Sequence, residues 1–202
     1  MGALQTIRLP PPRLSSQTSL EEAISRRTSL RSFSPAHLTL EEVSQLLWAS
    51  QGVTERGRRT TPSAGATYPL EIFLVCGDNI SKLKPGFYHY HPDSHSLTMV
   101  LERDIRYEVS KVSLGQSFIL QAPALIIICA IYERTSRYYG SRAERYVHME
   151  VGHAGQNIYL QAVALGLGTV AVGAFHDEEL RKIMNLERNL RPLYIMPVGR
   201  PE

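Results

Sequence analysis

A run of basic and hydroxyl side chains near the N-terminus has the composition of an anion-binding site. The run RRTSLR occupies residues 26–31, at the end of a predicted helix and just before a break at Ser34-Pro35. Guanidinium groups bind phosphate through paired hydrogen bonds, and a serine hydroxyl adds a further donor. The alternative is a solvated helix end, where cations complement the negative end of the helix dipole. The run therefore predicts either an anion clamp or a charged helix terminus.

Two segments rich in small residues would let a flat ligand approach the backbone. Residues 62–69 read PSAGATYP, where Pro69 favours an extended Tyr68, and the alternative is an ordinary turn. Residues 166–173 read GLGTVAVG. This spacing is not G-x-G-x-x-G, and the glycines follow a predicted helix rather than a strand, which argues against a dinucleotide site. A helix C-cap followed by closely approached backbone fits better.

Other chemistries find little support in the residue pattern. His89 and His91 share one strand face, but no H-E-x-x-H motif or matching set of ligands accompanies them, so no metal site is expected. No G-x-S-x-G motif supports a serine hydrolase. Cys76 and Cys129 lie in apolar runs and are expected to be buried, inert thiols.

Bulk properties indicate a globular protein of ordinary composition. The chain has 202 residues, 43% hydrophobic and 20% charged, with a formal net charge of +3. Its basic clusters lack interleaved aromatic residues, which argues against nucleic-acid binding. No apolar stretch reaches the roughly 20 residues needed to span a bilayer. Prolines at positions 10–12 occupy the place of a signal peptide's apolar core, so we expect a cytoplasmic protein.

The elements that must position these groups can be predicted from periodicity and caps. Residues 1–18 are rich in proline and predict an irregular, extended arm, either disordered or lying on a partner, before a single domain at residues 19–202. The pattern predicts helices at residues 19–27, 40–50, 104–114, 142–165 and 177–184, the last capped by Asp177. It predicts strands at residues 70–76, 86–91, 96–101, 123–132 and 193–198. This mixture, with a hairpin, indicates the α+β class.

Four segments occur in an order that resembles the nitroreductase family of FMN-dependent oxidoreductases. They are RRTSLRSFSPAHLTLEEVSQLLWASQG, PSAGATYPLEIFLV, MEVGHAGQNIYLQAVALGLGTVAVGAF and PVGRP. Within the family the chain is most similar to the SagB-type branch, which includes flavin oxidases that aromatise thiazolines and oxazolines in modified peptides. The resemblance covers residues 19–202. It implies a central antiparallel sheet flanked by helices and an intertwined homodimer with two FMN sites at its interface.

The resemblance also assigns cofactor contacts to residues in these segments. Arg27 and Ser29 would hold the phosphate, with Thr28 between them, and Arg31 would approach the N1/O2 edge of the flavin ring. The partner subunit would lay a loop of four residues along the flavin: Pro62, Ser63, Ala64 and Gly65. Gln156 and Asn157 would lie near the ring, and Arg200 would hold the phosphate. The segment that faces N5 and the ring edge would be Val172, Gly173 and Ala174.

The implied activity is transfer of hydride or electrons from NAD(P)H to a small acceptor, such as a nitroaromatic or a quinone, in a ping-pong cycle. One departure concerns a lysine–tyrosine pair that serves as the base in azoline oxidases. The nearest residues here are Glu144, Arg145 and Tyr146. Because arginine stays protonated, Tyr146 is the remaining catalytic candidate. The alternatives are a SagB-type dehydrogenase or oxidase acting on a peptide-derived or other specialised substrate, and a flavin-storage protein without turnover.

Overall fold

A single antiparallel sheet of seven strands organises the computed structural model, which describes residues 6–202. The strands are Thr6–Arg8 (β1), Leu70–Cys76 (β2), Gly86–His91 (β3), Ser96–Leu101 (β4), Ala124–Ile131 (β5), Gly168–Thr169 (β6) and Leu190–Gly199 (β7). Their order across the sheet is β1-β4-β3-β2-β5-β7-β6. The strands β2 and β5, which are buried along almost their whole length, lie next to each other at the centre.

Helices cover both faces of the sheet. They are Leu20–Arg26 (α1), Leu40–Gln51 (α2), Arg106–Val112 (α3), Phe118–Gln121 (α4), Tyr132–Tyr139 (α5), Ala143–Ala164 (α6) and Asp177–Ile183 (α7). Alternate residues of β5 point to opposite faces. Ile126 and Ile128 pack with α2 and α6, whereas Leu125 and Ile127 pack with α3 and α7. Across residues 6–202, none of the helices is both long and apolar enough to cross a bilayer.

The C-terminal end of α6 has the geometry that its glycines predict. Leu167 N–H donates to Ala162 O at 2.8 Å and Gly166 N–H donates to Val163 O at 3.0 Å, the hydrogen-bond pair of a Schellman motif. Gly166 adopts φ +68°, which an L-amino acid with a side chain rarely tolerates. At Gly168 a Cβ atom would lie only 2.2 Å from Leu30 Cδ2. Gly166 therefore ends the helix, and Gly168 allows the backbone to lie close to Leu30 of the basic run.

The α+β class and the central antiparallel sheet are confirmed, as are the five predicted strands. Cys76 and Cys129 are buried, and burial raises the pKa of both thiols. The helix at Tyr132–Tyr139 was not predicted from the sequence, because its apolar start looked like a continuation of β5. Asp177 does not cap α7: His176 holds that position without a side-chain hydrogen bond, and Asp177 lies in the first turn.

The N-terminal segment differs from the predicted irregular arm. Thr6–Arg8 pairs with β4, Leu9 is buried, and Arg13 N–H donates to Gln45 Oε1 at 2.8 Å. The described part of residues 1–18 therefore lies on the chain's own domain. A short edge strand needs only one hydrogen-bonding side, so its sequence carries little periodic signal. Residues 1–5 of the predicted arm lie outside the described residues.

Two glycines, one just beyond α6 and one within it, provide a matched test of the helix end. Gly166 and Gly152 both have open space where a Cβ would lie, but only Gly166 has positive φ. We expect Gly166→Ala to lower the free energy of unfolding by about 1–2 kcal/mol through backbone strain. Gly152→Ala, inside the helix, should raise it by about 1 kcal/mol because alanine favours helix. Urea denaturation of both variants measures the two changes.

The two variants are expected to change stability in opposite directions. A destabilised Gly152→Ala together with an unaffected Gly166→Ala would contradict the assigned end of α6.

Candidate functional site

The basic run leaves α1 and continues as extended chain beside the sheet edge. Arg27 is the C-cap of α1, and its N–H donates to Ala23 O at 3.0 Å. Leu30 N–H then donates to Thr169 O at 2.9 Å, and Ser34 N–H donates to Arg200 O at 3.0 Å. These bonds bring the predicted phosphate ligands of the run close to the end of β7. The side chains of Thr28, Ser29 and Arg31 are exposed, and that of Arg27 is half-buried.

Tyr159 on α6 joins the basic run to the segment after β6. Its hydroxyl lies 2.9 Å from Ser29 Oγ and accepts a 2.8 Å hydrogen bond from Ala171 N–H. The Arg27 guanidinium lies over its ring, 5.3 Å from the centroid. Sequence reasoning missed this residue. The available signal was its position three residues after Gln156 on a helix, a spacing that places two side chains on neighbouring parts of one face.

Arg200 is already engaged within the chain. Its guanidinium donates to Glu42 Oε1 at 2.8 Å, and about a third of the side chain, 36%, is exposed. The other Glu42 oxygen accepts from Thr39 N–H and completes the capping box of α2. The same carboxylate therefore fixes the start of α2 and the direction of Arg200. An anion at this position would share Arg200 with Glu42.

The segment after β6 presents backbone rather than side chains. Both backbone groups of Val172 bond to Ile195 of β7, at 2.9 and 3.0 Å, and its side chain is buried. Gly173 and Ala174 are exposed. A Cβ on Gly173 would make ordinary contact with Tyr194, 3.7 Å away. Val172 thus anchors the segment, while the next two residues remain accessible to a ligand.

The loop at residues 62–65 is held in a strained conformation. A 3-10 turn covers Ala64–Ala66, and φ is +57° at Gly65, +53° at Ala66 and +46° at Tyr68. The expectation of an extended Tyr68 was therefore wrong, because tertiary contacts override the local preference. Positive φ outside glycine costs about 1–3 kcal/mol per residue and persists only when the surroundings enforce it. Pro62 and Gly65 are exposed at the loop surface.

Hydrogen bonds enforce this loop from two sides. Ser63 Oγ accepts from Tyr68 N–H at 2.9 Å, and Arg134 donates to Tyr68 O at 2.9 Å. Arg134 also pairs with Glu71, whose second oxygen lies 2.6 Å from His89 Nε2. Burial raises the pKa of Glu71, but the His89 hydrogen bond and the Arg134 charge outweigh it and lower the pKa overall. An ionised Glu71 therefore keeps Arg134 in place beneath the loop.

A second buried carboxyl supports the loop from α6. Glu150 is only 3% exposed, its side chain hydrogen bonds to Ser63, and Gln51 Nε2 lies 3.5 Å from Glu150 Oε1. Burial raises the pKa of Glu150 to about 7, and these two hydrogen bonds oppose the rise. Sequence reasoning missed Glu150 too. Its spacing of seven residues from Asn157, two helical turns, was the available signal.

Asn157 and Tyr139 also lie against the loop, and Tyr146 packs behind Tyr139. Asn157 Nδ2 donates to Ala49 O at 3.1 Å and lies near Thr60 O and Thr61 Oγ1, so its amide braces the chain that leads into Pro62. Gln156, its neighbour, is exposed. Tyr146 packs edge-on against Tyr139, with ring centroids 5.1 Å apart. Tyr139 in turn covers the loop, since a Cβ on Gly65 would lie 2.7 Å from its hydroxyl.

The residues assigned to the cofactor thus form two groups on opposite sides of α6. Glu150 and Asn157 face the loop, whereas Tyr159 faces the basic run. Nine residues separate Glu150 from Tyr159, and at about 100° per residue this spacing turns the helix by two and a half turns. Within one chain, Tyr159 links Arg27 and Ser29 to Ala171, two residues before Gly173, and the Arg200 carbonyl accepts from Ser34 N–H. The loop at residues 62–65 is held from the other side of α6.

The basic-run side has the chemistry of a phosphate site beside a flat ring. Guanidinium and hydroxyl donors fit a phosphate, and exposed backbone at Gly173 fits a planar ring edge. Thr169 Oγ1, buried next to the run, has no hydrogen-bond partner in the described part of the chain. It lines a cavity of about 160 Å³ together with Thr28 and Tyr159. Orphaned polar atoms of this kind are normally completed by water or a ligand.

Comparison with known proteins identifies the family. The model of the nitroreductase family matches residues 24–200. The chain belongs to the nitroreductase family. A nitroreductase of Ralstonia eutropha of known structure has a TM-score of 0.85 at 28% identity, covering 98% of this chain and 90% of its own. This nitroreductase-like fold agrees with the sheet and helices described above.

Two sequence relatives extend the comparison. A protein of Methanocaldococcus jannaschii that carries the name nitroreductase is 48% identical over 99% of this chain and 98% of its own length. The microcin B17-processing protein McbC of Escherichia coli is 31% identical over 80% of this chain and 62% of its own length. The resemblance inferred from the four segments is therefore confirmed, and the similarity to McbC agrees with the SagB-type branch of the nitroreductases.

The raised pKa of Glu150 predicts a specific pH dependence of stability. The folded state holds the proton up to about pH 7, whereas the ordinary pKa of a glutamate carboxyl is 4.5. The unfolded state then binds fewer protons between these values, so this carboxyl lowers stability as pH rises through the window. The shift corresponds to roughly 3 kcal/mol. Glu150→Gln should therefore gain stability relative to the wild type, by up to that amount, between pH 4.5 and pH 8.

Urea unfolding of both proteins across this pH range measures the difference, in which contributions from other groups cancel. Glu144→Gln, at an exposed position on the same helix, controls for loss of a negative charge. A difference between wild type and Glu150→Gln that stays constant with pH would show that Glu150 is not buried as a neutral acid.

Proposed function

We propose that this nitroreductase is an FMN-dependent oxidoreductase that uses NAD(P)H to reduce a small acceptor such as a nitroaromatic or a quinone. The observation that carries the proposal is the convergence of Arg27, Ser29 and the segment before Gly173 on one tyrosine. Tyr159 thereby holds two candidate phosphate ligands next to a segment whose exposed backbone could contact the flavin ring. Bound FMN supplies reversible two-electron chemistry between NAD(P)H and the acceptor.

The residues of the chain bind and orient the cofactor. Arg27 and Ser29 hold the phosphate, and Arg200 closes on it from the end of β7. Arg31, exposed beyond them, supplies a positive charge at the pyrimidine edge of the ring, where it stabilises negative charge. Gly173 and Ala174 leave their backbone open to the opposite edge. Hydrogen-bond donors that are fixed before the cofactor binds need no reorganisation during the reaction. This preorganisation favours transfer of hydride or electrons.

We also propose a homodimer in which the partner copy completes each site. The loop at residues 62–65 lies on the far side of α6 from its own basic run, so it serves the cofactor of the other chain. Its strain, and its support by Glu150 and Glu71, are consistent with a part that must keep one shape at an interface. Exposed Pro62 and Gly65 would then face the flavin. Two copies would form two equivalent sites, as a two-fold axis requires.

The phosphate assignment can be tested with two neighbouring arginines. Arg26 pairs with Glu22 on the exposed face of α1 at 2.7 Å, whereas Arg27 lies over Tyr159. We expect Arg27→Ala to weaken FMN binding about 10- to 100-fold, the range for a lost hydrogen bond to a charged group. Arg26→Ala should change the affinity less than about threefold. Flavin fluorescence titration of the apoproteins measures both dissociation constants.

Equal losses in the two variants would mean that the run binds no phosphate at Arg27. A purified wild-type protein that is colourless and takes up no added FMN would overturn the proposed function itself. Flavin that binds but is not bleached by NADH or NADPH in a stopped-flow mixing experiment would instead indicate storage without turnover.

A second candidate function is oxidation of a peptide-derived substrate, as in the SagB-type branch. The similarity to McbC, a microcin-processing protein, favours it. Tyr146 is then the catalytic candidate, because its neighbour Arg145 stays protonated. Oxygen-dependent aromatisation of a thiazoline peptide, lost in Tyr146→Phe, would support this function. Steady NAD(P)H turnover with a quinone, unchanged in Tyr146→Phe, would support the first.

A further inference from the structure

We propose that Tyr159 is a positioning residue that aims the Ser29 hydroxyl at the cofactor phosphate and so gives the site its preference for FMN over riboflavin. This inference rests on the proposed function. It concerns which flavin is chosen, because riboflavin has the same ring but no phosphate.

The direction of the hydrogen bonds follows from their donors. Ala171 N–H can only donate, so the Tyr159 oxygen is the acceptor of the 2.8 Å bond between them. The phenol proton then needs an acceptor of its own. Ser29 Oγ, 2.9 Å away, is the other hydrogen-bond partner of the Tyr159 hydroxyl among residues 6–202. If Ser29 donated to Tyr159 instead, the phenol proton would have no acceptor in that part of the chain.

The serine proton is consequently free to point outwards. A serine hydroxyl carries one donor and two acceptor sites, and accepting from Tyr159 uses only an acceptor site. Ser29 is exposed, so its proton is directed to the surface of the basic run. The chain from Ala171 N–H through Tyr159 to Ser29 also polarises each successive donor, which strengthens the last one towards an anion.

The same side chain fixes a second phosphate ligand and the start of the ring-binding segment. Its ring lies 5.3 Å from the Arg27 guanidinium carbon, and its oxygen holds Ala171, two residues before Gly173. The hydroxyl and the ring therefore act on different ligands. Tyr159→Phe removes the bonds of the hydroxyl to Ser29 and Ala171 but keeps the ring beneath Arg27. Ser29→Ala, which leaves the bond from Ala171 N–H in place, isolates the contribution of Ser29.

The experiment compares the binding of two flavins to the wild type and to one variant. Apoproteins of the wild type and Tyr159→Phe are titrated with FMN and with riboflavin, and the ratio of the two dissociation constants is the readout. We expect the wild type to prefer FMN and this preference to fall about tenfold in Tyr159→Phe, as for loss of a hydrogen bond to a charged group. Riboflavin affinity should fall less than FMN affinity in Tyr159→Phe, because riboflavin lacks the phosphate. In Ser29→Ala, which keeps the bond from Ala171 N–H to Tyr159, riboflavin affinity should change less than about twofold.

Two further variants sharpen the comparison. Ser29→Ala should lower the FMN preference to a similar extent, and the double variant should lose little more, because the two residues act in series. Tyr138→Phe, at a side chain that is 78% exposed, controls for loss of a phenol and should keep the wild-type ratio. Ser29→Ala also tests the proposal if Tyr159→Phe does not fold.

The outcomes separate the inference from the function on which it rests. An unchanged ratio in Tyr159→Phe or in Ser29→Ala, or equal losses for both flavins, would overturn the role of Tyr159. A wild type that binds both flavins equally would overturn it as well, and the flavin-dependent function would stand. A wild type that binds neither flavin would overturn both.

Discussion

Helix α6 imposes the constraint on which the proposed cofactor site depends, because its two sides support different parts of that site. Glu150 and Asn157 hold the loop that begins at Pro62, and Tyr159 holds the basic run and the segment after β6. The helix is packed against the sheet through Val147, Val151 and Ile158 and cannot rotate to bring the two groups together. In the proposed dimer, a ligand that needs both groups would therefore lie between two copies of the chain.

Carboxyl groups with shifted pKa values and strained backbone angles occur together around the loop at residues 62–65. Two carboxyl groups with different environments hold it: Glu71 is ionised beside Arg134, and Glu150 is buried without a cation and keeps its proton to about pH 7. Together they enforce positive φ at Gly65 and at Tyr68. Such a loop resists relaxation, which suits a surface that must match a rigid planar ligand.

Sequence reasoning predicted the elements well where periodicity and caps were strong. The strand at β5, the capping box of α2 and the glycine stop of α6 are local patterns, and each is confirmed. The register of the basic run came from order and resemblance. Tyr159 and Glu150 were missed because their contacts lie 12 to 130 residues away in sequence. Their helical spacing from Gln156 and Asn157 indicates a shared face but not these partners. The short strand β1 was missed for the same reason.

The central claim, that each cofactor site draws on two chains, can be tested with mixed dimers. Arg27→Ala removes the phosphate ligand of the basic run. Gly65→Val disrupts the loop, because the valine side chain would clash with Tyr139 and the backbone at residue 65 has a positive φ. Each variant alone should bind FMN at least about tenfold more weakly than the wild type. A purified dimer of one chain of each should bind one FMN with wild-type affinity, since one of its two sites combines an intact run with an intact loop. Absence of any recovered site in the mixed dimer would contradict the account.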